Sequence, residues 1–62
     1  MTKCDEFIKK YENLLNSPEK QLASELLSMF EKPEIFNELC NRYPQSDVRS
    51  IGANIATILA RF

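Results

Sequence analysis

Three prolines, Pro18, Pro33 and Pro44, divide a chain of 62 residues into four stretches. Proline inside a helix removes a backbone hydrogen bond and clashes with the preceding turn, and it pushes the residue before it out of the α region. Any helix here is therefore short, and the apolar spacing shows that each stretch is one. In the first, Cys4, Phe7, Ile8, Tyr11, Leu14 and Leu15 recur at intervals of three, four and seven, the repeat of a single helical face. Leu22, Leu26, Met29 and Phe30, with Ala23 and Leu27 beside them, repeat the pattern, as do Ile35, Phe36, Leu39, Cys40 and Tyr43. No alternating apolar run supports a strand, and no Asn-Gly or Asp-Gly hairpin turn occurs.

Local chemistry predicts the helix limits. Thr2 followed by Asp5 reads as a capping box opening a first helix at 3–16. Asp5/Lys9 and Glu6/Lys10 stand four apart on its polar side. Ser17-Pro18-Glu19 combines a cap, a first-turn proline and an acid, which places a second helix at 18–31. Pro33 and Glu34 start a third at 33–43, with Glu38 and Arg42 paired outside. Ser46 caps a fourth, running over 47–61. The expected fold is all-α, a compact bundle of four short helices forming one domain over 1–62.

The fourth helix differs from the others. Val48, Ile51, Ile55, Ile58, Leu59 and Phe62 make one seam, and Gly52, Ala56 and Ala60, with Ala53 beside them, make a second row. A helix apolar over most of its girth is expected to be buried against several neighbours. The pattern thus places helix four at the centre of the bundle, or shares it with a second chain. A domain this short is marginal by itself, so close packing or burial in a partner is needed.

Composition excludes several functions. With no histidine, the chain lacks the imidazole of most triads and zinc sites, and one glycine permits no phosphate loop. Two cysteines cannot fill a tetrahedral metal shell. No nucleophile–base set is present, so no enzyme, cofactor or metal is expected. A net charge of −1 without charge runs argues against nucleic acid, whose binders carry a basic footprint. The opening MTKCDEFIKKYENLL has no signal-peptide pattern. No apolar run reaches the ~20 residues of a bilayer span. A cytoplasmic location and two free thiols follow, with Cys40 read as a small buried hydrophobe. Cys4 stands in a first turn, where the helix dipole favours a thiolate and Asp5 and Glu6 oppose it.

What remains is binding. The leading reading is a small non-enzymatic interaction or regulatory module that presents an apolar surface around helix four to another protein or to a second copy. Tyr43, Gly52, Ala56, Ala60 and Phe62 would form the contact, with Arg49 and Arg61, and Arg42 nearby, as its rim. The alternative is a helix-turn-helix in which Arg49, Ser50, Asn54 and Thr57 approach nucleic acid. A second alternative is a secreted domain stapled by a Cys4–Cys40 disulfide.

Overall fold

The computed structural model describes residues 2–62. Four helices follow in order: α1 (Lys3–Asn16), α2 (Lys20–Phe30), α3 (Pro33–Arg42) and α4 (Gln45–Ala60). The all-α bundle expected from the spacing is present, and no strand occurs among the described residues.

Each proline acts through its neighbours. Ser17, Lys32 and Tyr43 precede the three prolines, and all three leave the helical region, with ψ of 85°, 129° and 153°. That ends α1 at Asn16, separates α2 from α3, and stops α3 one residue short of the expected 43. Thr2 forms the full capping box: its Oγ1 accepts from the Asp5 amide, and Asp5 Oδ2 accepts from the Thr2 amide, both at 3.2 Å.

Two other caps are not used. Helix α2 starts at Lys20 behind an extended Glu19, so Ser17 and Pro18 lie in the connection and no side chain caps the helix. Ser17 instead closes α1, its amide donating to the Asn13 carbonyl at 2.8 Å. Helix α4 starts two residues earlier than expected, at Gln45. Pro44 occupies the N-cap, and its carbonyl accepts from the Asp47 and Val48 amides. Proline suits a helix entrance because its fixed φ is already helical and its missing amide is not needed there. Ser46 is consequently inside the first turn.

The core takes side chains from all four helices: Cys4, Phe7 and Leu14, Ala23 and Leu26, Ile35 and Leu39, Val48 and Ile55. Antiparallel packing of α1 on α2 brings Phe7 to Phe30, ring centroids 6.2 Å apart, and Lys10 to Glu25. Helix α2 packs against α1, α3 and α4, whereas α4 packs against α2 and α3. The central position assigned to helix four therefore belongs to α2. Helix α3 also meets the other three, but the two most extensive interfaces, with α4 and with α1, are those of α2.

The accessible surface is 4247 Å², against roughly 4,100 Å² for a folded monomer of this mass by size scaling. The folded chain thus exposes about as much surface as its mass implies. Among the described residues no helix is long and apolar enough to cross a membrane.

Ion pairs run between helices more than along them. Lys10 bonds to Glu25 of α2, and Asp5 to Arg42 of α3 at 2.7 Å, so the expected Asp5/Lys9 and Glu6/Lys10 pairs give way to cross-helix partners. Arg42 also meets Glu38 at 3.2 Å, as its spacing implies. It is accordingly a fixed strut between α1 and α3 and not a free rim residue.

Asp5 sits at the centre of this strut. The Arg42 guanidinium, then the Thr2 amide and hydroxyl, hold its carboxyl at about 2, against an ordinary 3.8. A carboxylate whose pKa is lowered by folding stabilises the fold above its unfolded value, and the contribution vanishes as pH falls through the folded value. Asp5→Asn should therefore lower Tm at neutral pH, and its gap to the parent should close between pH about 4 and about 2. Thermal melts of both proteins across that range check this; a gap that stays constant with pH refutes the role of the charge.

Candidate protein interface

Helical geometry decides which residues of α4 face inward. Each residue advances about 100°, so a row spaced by four residues drifts about 40° per step around the helix. Gly52 opens such a row at the edge of the buried face, beside Val48 and Ile55. By Ala56 and Ala60 the same row has turned out to solvent, where Ala53 also lies. The outward side thus carries Arg49, Ser50, Ala53, Asn54, Ala56, Thr57, Ala60 and Arg61, all exposed. The sequence grouped Gly52 with Ala56 and Ala60, and the drift separates them.

Gly52 has a different task. Its backbone is ordinary helix, with no positive φ. A Cβ placed there would lie 2.9 Å from both Cε1 and Cζ of Phe30. The Phe30 ring is itself held, 6.2 Å from Phe7 and in an edge-to-face contact with Phe36 at 5.6 Å. The missing side chain is what lets α4 approach α2. Gly52 is therefore an internal packing residue and not part of the exposed candidate surface.

The other candidates are accessible. Tyr43, immediately before the Pro44 cap of α4, is 36% exposed, and Phe62, beyond its end, is 59% exposed. Arg49 and Arg61 are exposed and form no ion pair among the described residues. Of the nucleic-acid candidates, Arg49, Ser50 and Thr57 are exposed, but the Asn54 amide is engaged, donating from Nδ2 to the Tyr11 hydroxyl at 3.0 Å. That bond ties α4 to α1, a role that the spacing along a single helix does not reveal.

Two large side chains missed by the sequence reading as surface groups are Leu15, 51% exposed, and Phe36, 41% exposed. Both lie one residue past a core position, Leu14 and Ile35. In each case the second residue is turned about 100° away from the row that reaches the interior. The same geometry corrects Cys40: it follows the buried Leu39, is rotated about 100° outward, and is exposed.

The two cysteines are free thiols in different surroundings, Cys4 buried and Cys40 at the surface, so no Cys4–Cys40 disulfide is formed. Burial pushes the Cys4 thiol upward; Arg42 acts against this, and Glu38 and Asp5 add to it. Ellman titration of the native protein should be biphasic, with Cys40 reacting first. If reaching Cys4 requires an opening that costs about 3 kcal/mol, its rate falls roughly 100-fold. Denaturant should merge the two phases, and two equally fast thiols in the native state would contradict the burial of Cys4.

An open groove between α1 and α2 is lined by Lys3, Glu6, Lys10, Ser24, Glu25 and Lys32 among others. The Lys10–Glu25 and Lys3–Glu34 pairs already neutralise part of its charge. None of the candidate residues around α4 lines it. Among the described residues no group of three or more Cys, Asp or Glu is placed to hold a metal ion. Comparison with known protein families, curated proteins and solved structures finds no match for this chain.

Proposed function

We propose that this chain is a small, non-enzymatic protein-interaction or regulatory module, of the inhibitor, antitoxin-like or assembly-factor kind, that docks a helix or a groove of another protein against the outward side of α4. The observation that carries the reading is the pair of exposed aromatic residues, Tyr43 and Phe62, that bracket α4 at its two ends. Between them the outward side bears alanines and short polar groups, over which a second helix can approach closely. Aromatic residues and arginines supply most of the energy at such surfaces. Arg49 and Arg61, accessible and unpaired, would orient the partner and speed its arrival. The absence of histidine and of any nucleophile–base pair supports a role without catalysis. Two free thiols fit a reducing cytoplasm.

Ala56→Glu tests this. Ala56 is exposed and glutamate is a good helix former, so the fold should change by no more than about 0.5 kcal/mol. Sedimentation at micromolar concentration and capture on tagged protein read the outcome. Binding of a protein, or self-association, should weaken at least about tenfold, which corresponds to about 1.4 kcal/mol. A partner retained equally by the variant would place the contact elsewhere. Nucleic acid bound at low salt and released by Arg49→Ala would replace this reading with the groove-binding one.

A further inference from the structure

We draw no further inference here: the strongest candidate, the outward side of α4 where Ala53, Ala56 and Ala60 lie between Arg49 and Arg61, belongs to the surface already described, and nothing in the structure shows what covers it.

Discussion

Phe7→Ala is expected to abolish the folded state at room temperature, seen as loss of most of the helical circular dichroism signal. Phe7 has no exposed surface. It stacks on Tyr11 within its own helix at 6.4 Å, meets Phe30 of α2, and belongs to the cluster that Leu39 and Ile55 complete. Removing a buried aromatic ring costs about 3–5 kcal/mol, because the cavity collapses only partly. A single core in a domain this small rarely supplies more than about 3–5 kcal/mol, so the loss is comparable to the whole stability. Phe7→Leu, which keeps most of the apolar volume, should remain helical with a lowered Tm. A native-like melt for Phe7→Ala would mean that the interior is not organised around this ring.

Gly52→Val carries the second large effect, and its sign depends on one neighbour. The added carbons would meet the Phe30 ring, already at 2.9 Å from the position of the first of them. To make room the ring must leave Phe7 and Phe36, or α4 must retreat from α2. Overpacking of this kind costs about 1–3 kcal/mol. Replacing glycine inside a helix would otherwise help, by up to about 1 kcal/mol for alanine. The two effects are separable. In a Phe30→Leu background, where the ring edge is absent, Gly52→Ala should become neutral or stabilising, whereas in the parent it should destabilise. Denaturant melts of the four proteins in that cycle measure the coupling. If Gly52→Ala stabilises the parent as well, the close approach of α4 to α2 is wrong.

Phe7 and Gly52 both act between helices, where a linear pattern no longer resolves which side chains meet. The capping box at Thr2, the helix stops before each proline and the buried rows of α1 and α2 depend on residues within one turn of one another. Such features are visible in a linear pattern because φ/ψ restrictions and amide hydrogen bonding act over three or four residues. Ser17 and Ser46 show the limit even there. Both are good caps by type, yet the chain takes Glu19 and Pro44 as the boundary residues.

The candidate surface was legible only in part. Arg49, Ala56, Ala60, Arg61, Tyr43 and Phe62 are exposed as an interface requires, while Gly52 is taken into the interior by Phe30. Periodicity cannot distinguish these, because a row of small residues looks the same whether a neighbour's ring or solvent lies over it. Asn54 illustrates the converse case. A polar residue on a wet face proves to be a link to Tyr11, forty-three positions away in sequence.

Chain-local chemistry alone determined that this protein is four short helices, that the first stops at Asn16 and the others within one residue of the expected ends, and that the chain carries no imidazole. Only the assembled bundle decided that α2 occupies the middle, that Leu39 is covered while Cys40 is not, and that Arg42 braces α1. The reason is that an amphipathic pattern records how apolar a face is, whereas burial depends on which other helix arrives there, and that depends on contacts between residues remote along the chain.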